Sequence, residues 1–247
     1  MIIPLPYGVW DGDRHISSLT LCPIAGADEL ALAEALADGA TPAAAGNLLL
    51  ARCTRADDGQ AAPAVHLALG DRETLLRALH VQNFGAHLAA QTPCEACSET
   101  IEYDLDLTQP PDHPPEPGPL HRLPGTNIAV RLLTAADLET AATAINPTAS
   151  LLTAAASTAK IPAEAIAHAL TRLDPNAETR LSIQCPACDA LNHRWLDSFE
   201  LIRRALARGG GILAHIHLLA SHYGWSEAAI LALPRRRRLR YVAMASA

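Results

Sequence analysis

Two short segments, Cys94-Glu-Ala-Cys97 and Cys185-Pro-Ala-Cys188, share one internal spacing and decide the fold that we predict for this 247-residue chain. Two residues between the cysteines of a tight turn let both thiolates face one ion, and two such turns supply the four sulfurs of a closed structural zinc site. Apolar and polar residues alternate beside each pair, which predicts flanking strands. We therefore expect a zinc ribbon that holds one structural Zn²⁺ through Cys94, Cys97, Cys185 and Cys188.

Other uses of these cysteines remain open in the sequence. Residues 98–184 separate the two pairs, whereas a compact ribbon has a gap of about 15 to 20 residues. Cys185-Pro-Ala-Cys188 also resembles the active-site turn of thiol oxidoreductases, although such a turn normally opens a helix and residues 191–195 read as a strand. Four structural thiols without a metal are the remaining alternative. Cys22 and Cys53 stand alone on apolar segments and are predicted to be small core residues.

The sequence on either side of a proline-rich stretch shows a similar order of patterns. Each half has an apolar stretch, a helix pattern with an acidic residue in its first turn, a helix with proline at its first position, a further helical stretch and one Cys-x-x-Cys. Alanine-rich helices align easily by chance, so internal duplication and chance similarity both stay open. We predict an α+β fold, with two similar small α/β halves stapled by the four-cysteine zinc ribbon and followed by a C-terminal helical arm. The predicted boundaries are 1–108 and 126–196 for the halves, 109–125 for a stiff linker and 197–247 for the arm.

The arm has a helical pattern with clear interruptions. Gly209-Gly-Gly211 would cost a continuous helix about 3 kcal/mol relative to alanine, so we expect a break or hinge there. Tyr223-Gly224 is typical of a helix end, Ser226 of the start of a short helix, and Pro234 of the start of the last one. Of the three histidines in this segment we expect one to be packed and two to be solvated.

Charge and motifs narrow the classes of function. The net charge of −7 argues against a general nucleic-acid binder. No stretch reaches the roughly 18 uninterrupted apolar residues of a membrane helix, and the N-terminus lacks the features of a signal peptide, so we expect synthesis in the cytoplasm. The common phosphate-loop, nucleophile-elbow, dinucleotide-binding and His-Glu-x-x-His motifs are absent from the sequence. We therefore expect neither an enzyme nor a small-molecule substrate.

The last residues of the chain have an unusual composition. Aromatic residues make up only 4% of the sequence, yet three of them lie here beside a run of arginines. Tyrosine, tryptophan and arginine are enriched at the energetic centres of protein interfaces. We therefore predict a docking surface for an acidic or helical partner, formed by Tyr223, Trp225, Arg235, Arg236, Arg237, Arg238 and Tyr241. Nucleic acid is a weaker alternative, because one short basic run lies in an acidic protein.

The segment 217–241 resembles the ending of the phage T4-type baseplate protein family, found with contractile phage tails and extracellular contractile injection systems. The two Cys-x-x-Cys turns, the segment that begins Asp197-Ser-Phe199, and the stretches 26–29 and 48–53 are also similar. The glycines at 209–211 and the length of the proline-rich linker depart from the family pattern. The resemblance implies a non-catalytic baseplate component or hub-assembly factor that binds hub, tube or wedge proteins and becomes part of a tail or injection particle.

Overall fold

A computed structural model describes residues 1–108, 129–156 and 161–246, together with the backbone of 120–122. Helices and strands are mixed along the chain, in agreement with the predicted α+β class. Apart from 120–122, the predicted linker 109–125 lies outside the described residues. Among the described helices, none combines the length and the apolar character that crossing a membrane requires.

The first part of the chain pairs its opening strands with each other and then forms three helices. The antiparallel strands are β1 (Ile2–Asp11), β2 (Arg14–Leu21) and the short β3 (Thr54–Arg55). The helices are α1 (Gly26–Ala37), α2 (Pro42–Cys53) and α3 (Leu69–Phe84), with a 3₁₀ turn at Ala64–His66. A hairpin of β4 (His87–Pro93) and β5 (Thr100–Asp106) follows and carries the first cysteine pair in its turn.

The second part repeats this order of elements. A short antiparallel pair, β6 (Leu120–Arg122) and β7 (Ala129–Arg131), comes first. Three helices follow, α4 (Ala135–Thr143), α5 (Pro147–Ala155) and α6 (Ala163–Leu173). The hairpin of β8 (Thr179–Gln184) and β9 (Leu191–Leu196) then carries the second cysteine pair.

Corresponding helices of the two parts also begin in the same way. The backbone N–H of Ala25 donates to the Asp28 carboxylate at 3.0 Å before α1, and that of Thr134 donates to Asp137 at 2.8 Å before α4. Helices α2 and α5 both start with proline, after an N-cap side chain that accepts a backbone N–H three residues later. These contacts satisfy N–H groups that the first helical turn leaves unpaired, and they fix where each helix starts.

Three apolar clusters lie beneath these elements. The largest joins β1, β2 and helices α1 to α3, and includes Phe199 and Ile202 from a later helix. A second cluster lies around Val130 and Ile166 of the second part. The smallest joins the two hairpins through Ile101 and Ile183, beside the buried cysteines Cys94 and Cys185.

The C-terminal segment packs on the first part. Helix α7 (Ser198–Ala207) lies against α3 and buries its apolar side in the largest cluster. Helices α8 (Gly211–Tyr223), α9 (Glu227–Leu231) and α10 (Arg235–Ala245) follow, and α8 contacts both α1 and α10. Within the segment predicted as an arm, 197–247, helix α7 therefore contributes to the core of the first part.

The predicted interruptions of this segment are confirmed. Gly209, Gly210 and Gly211 have φ angles of 78°, 93° and 75°, so α7 ends before them and α8 starts at the last. Helix α8 ends at Tyr223, where Gly224 has φ 69° and donates its N–H to the Ala220 carbonyl at 2.9 Å. The histidines also follow the prediction, since His215 is buried whereas His217 and His222 are exposed.

Candidate metal centre

Each cysteine pair lies in a hairpin turn, with its first cysteine, Cys94 or Cys185, buried and its second, Cys97 or Cys188, exposed. In the first hairpin the N–H of Ser98 donates to the Cys94 carbonyl at 3.0 Å, and the N–H of Cys94 donates to the Glu99 carbonyl at 2.8 Å. Ser98 has φ 64°, a left-handed conformation that lets the chain reverse directly after Cys97.

The second hairpin has the same local structure. The N–H of Asp189 donates to the Cys185 carbonyl, and the N–H of Cys185 donates to the Ala190 carbonyl, both at 2.9 Å. Asp189 has φ 59°. Within the described ranges, Ser98 and Asp189 are the non-glycine residues with positive φ, and each directly follows the second cysteine of its pair. The two turns are therefore equivalent halves of one site.

The hairpins face each other so that all four sulfurs converge. The Sγ atoms of Cys94 and Cys188 are 3.7 Å apart, as are those of Cys97 and Cys185. The four sulfur atoms all lie within 4.8 Å of one another. Zinc–sulfur bonds of about 2.3 Å in a regular tetrahedron place the sulfurs about 3.8 Å apart, so the observed separations fit one tetrahedral ion. A disulfide bond of about 2.05 Å is much shorter than either separation.

Electrostatics also favour a cation at this position. The backbone N–H groups of Cys97 and Ala96 stabilise the Cys94 thiolate and lower the pKa of this thiol to about 6. The N–H of Ala190 favours the Cys188 thiolate, but hydrogen bonds with the neighbouring thiols outweigh it and raise the pKa of Cys188 to about 12. Four thiols this close cannot all ionise without a compensating positive charge, and a divalent ion supplies that charge.

Asn192 on β9 joins the second hairpin to the first turn. Its side chain is 1% exposed. The amide Nδ2 donates to Cys94 Sγ at 3.6 Å, and Oδ1 accepts the N–H of Glu95 at 2.8 Å. Strand β9 thus buries an asparagine while Leu191 and Trp195, its apolar residues at alternating positions, are 59% and 64% exposed. Apolar alternation does not reveal such a residue, because the burial of Asn192 depends on how the two hairpins pack.

Arg194 forms a second link between the hairpins. Its Nε donates to Thr92 Oγ1 at 2.7 Å and its Nη2 to the Pro93 carbonyl at 2.8 Å, both at the end of β4. The remaining guanidinium nitrogen, Nη1, pairs with the Glu95 carboxylate. No sequence pattern singles out this arginine, because its partners lie about a hundred residues away in the chain.

Replacing Asn192 by leucine is expected to weaken metal binding without unfolding the chain. The change keeps the size of the side chain but removes the donor to Cys94 Sγ and leaves the Glu95 N–H without its acceptor. Loss of such a supporting hydrogen bond typically lowers metal affinity about 10- to 100-fold. Competition with a chromophoric chelator measures the change. Gln91→Leu, on the exposed face of β4, is the matched control, and equal affinities in the two variants would contradict this role of Asn192.

The three aromatic residues predicted to bind a partner lie together. The Tyr223 and Trp225 rings stack at 4.8 Å between centroids, and Tyr241 from α10 meets Trp225 edge-on at 4.9 Å. Arg237 lies over the Tyr241 ring at 5.7 Å. All three aromatic side chains are partly exposed, so they present one surface that includes the end of α8 and one side of α10.

The arginines predicted for the same role divide into two groups. Arg236 and Arg237 are exposed. Arg235 and Arg238 instead point into the protein, where both pair with the Glu29 carboxylate of α1. Arg238 is fully buried. These two side chains therefore hold α10 against the body, and burial removes Arg238 from any docking surface.

The chain matches no protein-family model, no curated protein and no solved structure. Only the geometry of the cysteine centre therefore indicates its role. Four cysteine ligands complete a tetrahedral shell and leave no position for a substrate or an activated water. The arrangement is therefore suited to joining two hairpins and not to metal-assisted catalysis.

Proposed function

We propose that this chain is a non-catalytic structural or assembly component of a contractile tail or injection-system baseplate, with a body stapled by one structural Zn²⁺. The observation that carries the structural role is the convergence of four cysteine sulfurs from two hairpins far apart in the sequence. A closed shell of four thiolates is typical of zinc sites that stabilise folds.

The two halves are proposed to be products of an internal duplication, each supplying one cysteine turn. The repeated order of hairpin, three helices and hairpin supports this proposal. So do the matching helix starts and the equivalent hydrogen bonds of the two turns. Zinc then joins the ends of two similar units, which explains why the cysteine pairs are so far apart in the sequence.

The docking surface is proposed to consist of Tyr223, Trp225 and Tyr241 with the exposed Arg236 and Arg237. This surface continues along α10, since positions 237, 241 and 244 share one side of a helix. Met244 on that side is 57% exposed. Partly exposed aromatic rings next to arginines are the composition of an interface centre.

The baseplate assignment itself rests on the resemblance of segment 217–241 to the phage T4-type baseplate family. A thiol oxidoreductase has less support, because Cys185-Pro-Ala-Cys188 lies in a hairpin turn and not at a helix start, where reactive cysteines gain their low pKa. Nucleic-acid binding has less support, since Arg235 and Arg238 pair with Glu29 and only half of the basic run is left free for phosphates.

Trp225→Ala combined with Arg237→Ala is expected to reduce binding to the partner protein while the fold and metal content stay intact. Both side chains lie at the surface, so their loss removes an interface anchor at little cost to the core. Loss of one such anchor typically weakens a complex by about 2 kcal/mol or more, roughly 30-fold. The measurement is co-purification with hub, tube and wedge proteins produced together with this chain, and particle assembly in a complemented deletion strain. Trp10→Ala changes an exposed tryptophan on β1 and is the control. Normal binding and assembly by the double variant would overturn the docking role.

A further inference from the structure

A second group of potential ligand atoms lies between the two halves, away from the cysteines. Asp71 is in the first turn of α3, and Asp174 and Asn176 lie in the loop between α6 and β8. Their exposed fractions are 0%, 6% and 5%. A Cβ added at Gly70 would lie 1.9 Å from Asp174 Oδ1 and 2.8 Å from the Cβ of Asn176, so both side chains press against the backbone next to Asp71.

Each carboxylate in this group uses only one of its two oxygens. Asp71 Oδ2 accepts the backbone N–H groups of Gly8 at 2.9 Å and Tyr7 at 3.3 Å. Asp174 Oδ2 accepts the N–H of Gly70 at 2.7 Å. The second oxygens, Asp71 Oδ1 and Asp174 Oδ1, and the amide oxygen of Asn176 are buried and have no hydrogen-bond donor in the described part of the chain.

Burial raises the pKa of both carboxyl groups in this cluster. Burial and the neighbouring Asp174 raise the pKa of Asp71 to about 7. Burial raises the pKa of Asp174 to about 6, although the hydrogen bond from the Gly70 N–H lowers it.

We propose that Asp71, Asp174 and Asn176 bind one hard divalent cation of the Ca²⁺ or Mg²⁺ type through their unpaired Oδ1 atoms. Carboxylate and amide oxygens are the ligands that these ions prefer, and water supplies further ligands at such sites. A proton shared by the carboxylates would satisfy those two groups but would leave the Asn176 oxygen unpaired. The cation joins the start of α3 to the loop after α6, and it is a second link between the halves that does not depend on zinc.

The test compares the full chain with two isosteric variants, Asp71→Asn and Asp174→Asn, after dialysis that leaves the zinc in place. Thermal unfolding is followed with CaCl₂ or MgCl₂ added and without them. Terbium luminescence, excited through tyrosine, gives an independent measure, because Tyr7 lies beside the site and its hydroxyl donates to the Leu173 carbonyl. Asp11→Asn changes an exposed carboxylate at the end of β1 and serves as the control.

We expect Ca²⁺ or Mg²⁺ to raise the unfolding temperature of the wild type and of Asp11→Asn by several degrees. Each isosteric variant should lose most of that shift and bind terbium about tenfold more weakly or worse, since affinity follows the charge of the ligands. Without added cation the same variants should be at least as stable as the wild type, because they remove repulsion between two buried carboxylates. No shift in the wild type, or an equal shift in all four proteins, would overturn the proposal in favour of a shared proton or of binding elsewhere.

Discussion

Cys185→Ser is expected to release the metal and to lower the unfolding temperature by about 10 °C or more. Cys185 is completely buried between the two hairpins, and its sulfur lies 3.7 Å from that of Cys97. Serine is a poor zinc ligand, so the variant keeps three thiols and loses the closed shell that holds the ion. Loss of a structural metal is one of the few single changes that cost on the order of 5 kcal/mol. In a chain of this length each kcal/mol shifts the midpoint by roughly 2 to 4 °C.

Metal content, thiol titration and thermal unfolding together test this result. The wild type should carry one zinc, with four thiols that react only after a chelator is added. Cys22→Ser is the matched control, because Cys22 lies on another segment and outside the four-sulfur group, and it should keep both the metal and the midpoint. A Cys185→Ser variant that unfolds at the wild-type temperature would show that the hairpins are held without metal. A reactive Cys185 and Cys188 in metal-free wild type would restore the redox alternative.

The cysteine centre could be predicted from sequence because its geometry is local. The two-residue spacing within Cys94–Cys97 and Cys185–Cys188 is enough to make each pair face one point, and the flanking alternation predicts the hairpins. The association of the two turns could also be predicted, since each cysteine pair supplies only two of the four ligands of a tetrahedral site. The starts of the helices after Thr41 and Thr134 could be predicted as well, because each depends on a hydrogen bond between residues three positions apart.

The contacts that support the site depend on the whole fold and could not be read from neighbouring residues. Asn192 and Arg194 act on a turn about a hundred residues earlier. Arg235 and Arg238 looked like part of an exposed basic run, yet their partner Glu29 is on the first helix. Composition identifies such residues as charged, but only the position of α10, packed on α8 and within reach of Glu29, decides which of four successive arginines point into the protein.

The buried contact of Glu29 with Arg235 and Arg238 explains how the C-terminal segment stays on the body. Glu29 is 3% exposed, and its two carboxylate oxygens pair with different arginines. Arg235 Nη2 also donates to the Ala205 carbonyl of α7 at 2.7 Å, so the same group connects three helices. A buried charge that loses its partner is far more costly than a pair replaced by apolar residues.

Glu29→Ala is therefore expected to destabilise the protein by roughly 3 to 5 kcal/mol and to loosen α10, since the fully buried Arg238 loses its counter-charge. Thermal unfolding gives the size of the effect, and limited proteolysis should show earlier cleavage in the segment 209–247. Glu34→Ala, on the exposed side of the same helix, controls for loss of a charge and should unfold like the wild type. Glu29→Leu combined with Arg238→Leu should recover much of the lost stability, because it removes both buried charges. If Glu29→Ala matched Glu34→Ala in stability and protease resistance, apolar packing of α8 on α1 would be what holds the segment, and the docking surface would be positioned without the ion pairs.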